Sequence, residues 1–445
     1  MKRKYMIIVL MAGALELTGC SQGTSNSAKN GTTGSENTII LESDIAILDT
    51  EDMFTERDRD TEYDESECTA ISLSDEETKC DSDGVKMDGQ TVTITEGGTY
   101  LLTGSLSNGS VVVDTDKTEK VQLILENVSI INEEGAGICV EQADKVFITL
   151  ADGSTNKIVS NSFTGNEDTN IDGAIFSRED LTLNGSGTLK ITSAAHGIVS
   201  KDDLVLTGGV YQIQSEKQGL SGKESVRIAD GTFTITSGTD AIHSEDTDED
   251  TKGFVYITGG VLTLAAGGDA ISSSYVVQAD GGSFDISTSS TETDTSTKGI
   301  KAQKYVILKD GTYQLATADD GIHCNGNVYV CGGTYSINSG DDGIHADAAV
   351  HLQNGDFTIA YCYEGIEGQS VTIQDGTIKI VSSDDGLNAA GGNDQSSMGR
   401  PGENTFQEDS DAYIDILGGT IEIDAKGDGI DSNGDFSVSG GVIYV

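Results

Sequence analysis

A period of 22 residues constrains this chain more than any other feature of its sequence. Gly197, Gly219 and Ala241 stand 22 residues apart, as do Gly299, Gly321, Gly343 and Gly365, each followed by Ile or Leu, and Gly386 comes 21 later. Longer steps, of 29 at Ala270 and Gly299 and of 43 at Gly429, leave room for insertions such as Glu245 to Gly253 and Ala390 to Ser410. Within one unit, Asp320-Gly321-Ile322-His323 leads to Val328-Tyr329-Val330, a Gly332-Gly333-Thr334 turn and Tyr335-Ser336-Ile337. The next unit repeats this as Asp342-Gly343-Ile344-His345, Val350-His351-Leu352, Asn354-Gly355-Asp356 and Phe357-Thr358-Ile359. Short alternating runs split by Gly, Asn and Asp turns are strands, and none is long enough for an amphipathic helix. Such a unit buries its apolar side only by stacking on copies of itself.

The fold expected is therefore all-β, a right-handed parallel β-helix with about 22 residues per rung. Roughly 12 to 15 rungs at about 4.8 Å make a rod of roughly 60 to 70 Å. A calcium-binding nonapeptide roll needs a nine-residue period that the chain lacks. The less regular stretches Thr91 to Ile94, Thr99 to Leu102, Val111 to Val113 and Val121 to Leu125 are expected to cap the coil. Val442-Ile443-Tyr444-Val445 stops in mid-strand, which suggests a domain that continues.

Charge narrows the function. With 26 Lys+Arg against 74 Asp+Glu the formal net charge is −48, so nucleic acid is excluded as a partner, because counterion release and phosphate-reading Arg clusters are unavailable. Lys2, Arg3 and Lys4 before the apolar run from Tyr5 to Leu15 read as an export signal too short for a membrane span. Leu17-Thr18-Gly19-Cys20 resembles the lipobox of bacterial lipoproteins, which implies cleavage before Cys20, lipid attachment to its sulfur and anchoring at the cell surface. The expected organisation is signal peptide over 1–20, Ser/Thr/Gly-rich tether over 21–50 and β-helix over 51–445. A disulfide framework is not expected from the remaining cysteines. Cys324 falls where other rungs carry Ala302, Ala346, Gly368 and Ala389, a small buried filler, and Cys68 with Cys80 is the only candidate pair.

Aligned rungs place Asp240, Asp269, Lys298, Asp320, Asp342, Glu364, Asp385 and Asp428 in one column. A second, three residues on, holds His243, Ser272, Lys301, His323, His345, Glu367, Asn388 and Asp431. Asp319, Asp341 and Asp384 double the acid in three rungs. Carboxylates one rung apart repel by roughly 3 to 4 kcal/mol at an effective dielectric near ~20. Hard oxygen donors on Gly turns suit Ca²⁺ better than Zn²⁺ or copper. The expected donors are Asp319, Asp320, Asp341, Asp342, Glu364, Asp384, Asp385 and Asp428. The bland alternative is a solvated acidic edge. His323, His345 and His243 also invite a zinc reading, weaker because no cysteine joins them and a stacked histidine is more often a hydrogen-bonded turn residue. Lys298 is expected to supply, at its own level, the charge that a metal supplies elsewhere.

Tyr63-Asp64-Glu65-Ser66, Thr91-Val92-Thr93-Ile94-Thr95-Glu96-Gly97-Gly98-Thr99-Tyr100, Val111-Val112-Val113-Asp114 and Lys145-Val146-Phe147-Ile148-Thr149-Leu150 carry a family resemblance. Together with the later Asp-Asp-Gly-Ile-His rungs, they make the chain resemble bacterial calcium-binding, right-handed parallel β-helix proteins described as carbohydrate-binding domain proteins, akin in fold to pectate lyases. The resemblance implies binding to plant cell-wall polysaccharide, with acidic pectic chains and cellulose as ligand classes, and Tyr63 stands where the family usually has Trp. Ca²⁺ shared between protein and uronate carboxylates would bridge two polyanions, and Tyr361, Tyr363 and Tyr329 are candidate stacking faces for neutral glycans. The rival reading is a calcium-dependent polysaccharide lyase with Lys301 as the base. A structural surface adhesin is the third.

Overall fold

The computed structural model describes residues 6–8, 45–164, 170–289, 296–389 and 411–445, so the expected lipidation at Cys20 and the insertion after Ala389 lie outside the described residues. The chain winds as a parallel β-helix, and each turn of the coil contributes one strand to each of three faces. Strands such as Thr312–Ala316, Thr334–Asn338, Asp356–Cys362 and Thr377–Ser382 form an open sheet whose residues alternate between solvent and core. Ile300–Ala302, Ile322–Cys324 and Leu387–Ala389, with the first halves of Ile344–Leu352 and Ile366–Ile373, form the acid-bearing sheet. Ser225–Ile228, Phe254–Ile257, Val276–Ala279, Tyr305–Leu308 and Asn327–Val330 belong to the third.

Like stacks on like inside the coil. On the open sheet Ile213, Ile235, Leu264, Ile286, Leu315, Ile337, Ile359 and Ile380 follow one another in register. Beside them Phe284, Tyr313, Tyr335 and Phe357 stack with ring centroids 4.5–4.6 Å apart and planes within 7°. The buried phenols donate to turn carbonyls, Tyr313 to Asp310 and Tyr335 to Gly332, so neither hydroxyl is stranded. Those turns require glycine: Gly333 has φ +99°, and a Cβ on Gly376, at φ +115°, would meet the Gly355 carbonyl at 2.5 Å. Cys324 is inward and buried between Ala302 and Ala346, the filler role expected of it. All six described cysteines are free, so the Cys68–Cys80 pair is not formed.

At the N-terminal end, Val85–Asp88 and Thr91–Ile94 form an antiparallel hairpin whose second strand runs parallel to Ser110–Asp114. This caps the edge of the acid-bearing sheet. At the other end, Met6–Ile8 lies antiparallel on Val442–Tyr444. If the expected cleavage before Cys20 occurs, that edge loses this partner.

The third sheet is covered from outside by a strap. Ile45, Ile47, Leu48, Met53 and Phe54 pack on Phe254, Tyr256, Val276, Ile307 and Tyr329, so contact with the coil begins within the stretch expected to be tether. The strap ends in a four-residue helix, Glu56–Arg59, capped by Thr55. Asp58 is buried there, accepting from Thr182 Oγ1 at 2.7 Å and pairing with Lys145 Nζ at 2.8 Å, while its main-chain carbonyl accepts from Asn184 and Thr207. Arg57 lies over the Phe147 ring and bonds Gln122.

Removing one member of a buried ion pair strands the other. Asp58→Ala should therefore cost about 3–5 kcal/mol in strap docking. Limited proteolysis should then cut within residues 45–60 while the β circular-dichroism signal of the coil persists; an uncut strap would refute this account.

Candidate functional site

The aligned columns of the sequence are columns in space. His243, Ser272, Lys301, His323, His345, Glu367, Asn388 and Asp431 follow one another in register along the outer side of the acid-bearing sheet. The acidic column lies at the turn just before it, and its spacing is fixed by a relay that the sequence does not reveal. Asp240 Oδ1 accepts the Asp269 amide at 2.8 Å, Asp269 Oδ1 the Lys298 amide at 2.8 Å, Asp320 Oδ1 the Asp342 amide at 3.0 Å, Asp342 Oδ1 the Glu364 amide at 3.0 Å and Asp385 Oδ1 the Asp428 amide at 2.6 Å. Each aspartate thus spends one oxygen holding the next turn and turns the other outward. Lysine has no acceptor, so the relay breaks at Lys298.

The second oxygens meet a different partner at each level. Asp240 Oδ2 takes Ser272 Oγ at 2.7 Å and lies 3.0 Å from His243 Nδ1. Lys298 Nζ reaches Asp319 Oδ2 at 2.8 Å and Asp320 Oδ2 at 2.7 Å, so an ammonium already neutralises two of the expected metal donors. His323 Nδ1 is also 2.8 Å from Asp320 Oδ2. Burial would raise the Asp320 carboxyl, but His323 and Lys298 together hold it well below the usual carboxylate range. Lys301 Nζ pairs with Asp269 Oδ2 at 3.2 Å and donates to Ser296 Oγ at 3.2 Å, an internal counter-ion geometry.

Asp341 brings a third carboxylate to this level: ligand oxygens of Asp319, Asp320 and Asp341 lie within 4.8 Å of one another. Burial, with repulsion from Asp342, Asp320 and Asp319, pushes its carboxyl up to about 7. Asp342, by contrast, is grouped with His345 and Glu367, while Glu364 Oε2 accepts from Asn388 Nδ2 at 2.6 Å. Asp384, Asp385 and Asp428 gather farther along, where burial and the charges of Asp384, Asp431 and Asp428 raise Asp385 to about 6. The expected donors, aligned rung by rung in the sequence, therefore gather into three groups along the ridge. Counting along the repeat places Glu367 and Asn388 in their column without marking them as part of the acid chemistry, and marks His345 only through the weaker zinc reading. Their signal was position, since all three are buried although they face outward.

Aromatic faces are unequal. Tyr329 is buried under the strap and stacked on His351 at 5.0 Å, so it offers no face to a ligand. Tyr361 is 59% exposed. It stands where the open sheet bulges between Ile337 and Asn338, and a bulge re-aims a side chain. The Tyr363 amide donates to the Asp341 carbonyl at 2.7 Å, so this aromatic corner borders the acidic ridge.

A carboxyl whose folded pKa is raised destabilises the fold as it ionises. Asp385 and Asp341 therefore draw stability down as pH rises from about 4 to about 6 and about 7 respectively. Burial would lower the His345 imidazole, but Asp342, Asp320 and Asp347 outweigh it and raise it to about 9, so its stabilisation is complete below pH 6.5 and lost as pH rises through 9. In chelator, Tm should fall from pH 5 to 9. Asp341→Asn should flatten the slope below pH 7 and His345→Gln the slope above it; a pH-independent melt would refute both assignments.

The family model described as "Carbohydrate-binding domain-containing protein" matches residues 88–343, 325–402 and 341–445. A "Carbohydrate-binding domain-containing protein" of Acetivibrio thermocellus is 34% identical over 137 residues, 30% of this chain and 48% of the relative, so the match spans about half of that protein. A solved structure, the polysaccharide lyase-like protein from C. thermocellum as a gadolinium derivative, is 30% identical with a TM-score of 0.47, covering 60% of this chain and 99% of that one. With family matches running from residue 88 to residue 445, the chain belongs to the carbohydrate-binding domain-containing proteins.

Proposed function

We propose that this protein binds acidic plant cell-wall polysaccharide at the cell surface through Ca²⁺ held on its acidic ridge, and that it is a binding module. Carbohydrate binding is the character of its family. The observation that carries the finer reading is the convergence of Asp319, Asp320 and Asp341 at one level of the ridge, with Tyr361 exposed at its border. A chain at −48 repels a polyuronate, so an acidic ligand requires a cation between them. The Asp319–Asp320–Asp341 donors are hard oxygens and fit Ca²⁺ in kind. Lys298 competes there for Asp319 and Asp320, which leaves Asp341 as the carboxylate most in need of an ion. The Asp384–Asp385–Asp428 group is the second place such an ion would sit. An exported protein tethered by lipid at Cys20 would present this ridge to extracellular glycans.

Alternative functions leave different traces. A lyase needs a base free to take a proton, whereas Lys301 is engaged by Asp269 and Ser296. An adhesin would bind without discrimination between glycans.

Binding should be measured against polygalacturonate, cellulose and neutral glucans with and without chelator, while absorbance is followed for unsaturated uronate. Expected are calcium-dependent, salt-sensitive binding to polygalacturonate and no unsaturated product. Tyr361→Ala should weaken glycan binding roughly tenfold, about 1.4 kcal/mol, with Tm unchanged. Chelator-insensitive binding would refute the calcium bridge, and product that disappears in Lys301→Ala would make the protein a lyase.

A further inference from the structure

We infer that Asp342, His345 and Glu367 form a site for a borderline divalent transition-metal ion, of the zinc and cobalt class, separate from the all-oxygen group at Asp319, Asp320 and Asp341. His345 Nδ1 lies 3.2 Å from Asp342 Oδ2 and 3.4 Å from Glu367 Oε2. Metal–ligand bonds of about 2.0–2.1 Å in a tetrahedron separate neighbouring ligand atoms by about 3.3–3.4 Å, so these spacings match the edges of such a shell. They are long for charge-assisted hydrogen bonds, which fall at about 2.7–2.9 Å. The all-oxygen, six-to-eightfold shell of Ca²⁺ has no use for an imidazole nitrogen.

Three further observations point to an ion. A carboxylate oxygen of Asp342 and one of Glu367 lie within 4.8 Å of each other, and both residues are buried, Glu367 at 0% exposure. Two carboxyls excluded from water in this way need positive charge between them, which the His345 imidazolium supplies in the absence of an ion and which a metal ion would supply in place of its Nδ1 proton. The Asn388 side chain, next to Glu367 in the column, fixes its amide nitrogen on Glu364, and its carbonyl Oδ1 is left buried with no hydrogen-bond partner. That orphaned acceptor is met by a cation or by water bound to one. Finally, His345 Nε2 faces Asp347 Oδ1 at 3.6 Å. That is beyond hydrogen-bond length and Nε2 has no other hydrogen-bond partner, so Asp347 acts on the imidazole by charge and would have to close on Nε2 to give a metal-bound imidazole its usual carboxylate support. His323, whose Nδ1 is occupied by Asp320, packs its ring against His345 at 5.0 Å and closes that side. Because Asp342 and His345 lie on one rung and Glu367 on the next, the ion would cross-link two turns of the coil.

The test uses the full chain, stripped with chelator, exchanged into millimolar-scale Ca²⁺ and titrated with Co²⁺ under visible absorption. One tightly bound Co²⁺ with the intense bands of a tetrahedral ion, undisturbed by the Ca²⁺, is expected. His345→Gln should abolish the bands, while His243→Gln, in the same column, should retain them. Asp347→Ala should weaken binding about 10–100-fold through the second nitrogen. Displacement of Co²⁺ by Ca²⁺, or bands that persist in His345→Gln, would overturn the inference. So would wild-type protein that binds no Co²⁺ or shows only weak octahedral absorption, a result that depends on no variant folding.

Discussion

Stacking identical positions at one strand spacing is the constraint from which the rest of this molecule follows. Inside the coil it is favourable, because Ile lies on Ile and ring on ring, and every rung buries what its neighbour would otherwise expose. Outside the coil the same rule is costly, because an acid at one position of the repeat lies beside an acid on the next rung. The acidic ridge therefore exists only together with its compensations: the Lys298 ammonium between Asp319 and Asp320, the imidazoles of His243, His323 and His345, and main-chain amides that take one oxygen of each relaying aspartate. At Asp341 and at Asp385, where burial and neighbouring carboxylates outweigh these, the carboxyls resist ionisation.

The relay changes what the aspartates mean. Asp240, Asp269, Asp320, Asp342 and Asp385 are each explained by a bond to the next rung's amide without any ion, so an acidic column alone is no measure of metal binding. Chemistry has to be sought in the second oxygens. Seen that way, the ridge has at least two characters. At one level three carboxylates converge beside an exposed tyrosine, and at the next a buried group mixes nitrogen and oxygen.

Period and columns were legible because a solenoid maps sequence distance directly onto space: residues 22 apart are neighbours, so Asp320, Asp342 and Glu364 could be aligned by counting. The filler role of Cys324 was legible for the same reason. What counting could not supply was anything joining parts outside the period. Asp58 meets Thr182 across 124 residues and Arg227 meets Met53 across 174, and the polar run Glu56-Arg57-Asp58-Arg59 reads as solvated linker until its partners are known. The covering of Tyr329, against the exposure of Tyr361, is hidden for that reason. Outward positions on the open and strapped sheets carry similar residues, and only the strap decides which are covered. Which acids converge and which are already paired was hidden too, because it turns on the second carboxylate oxygen.

The strap also sets how the molecule responds to load. It runs back along the outside of the coil, from Ile45 beside the Tyr256 and Tyr329 rungs to Asp58 beside Thr182 and Thr207. A pull along the rod axis on the chain ahead of residue 45 would therefore reach the coil in shear, spread over several rungs at once through the Phe54, Met53 and Asp58 contacts. Without the strap, the same pull would peel the terminal hairpin strand by strand. A repeat protein is ordinarily weakest at its ends, and here a pull on the N-terminal side is taken up through the middle of the coil.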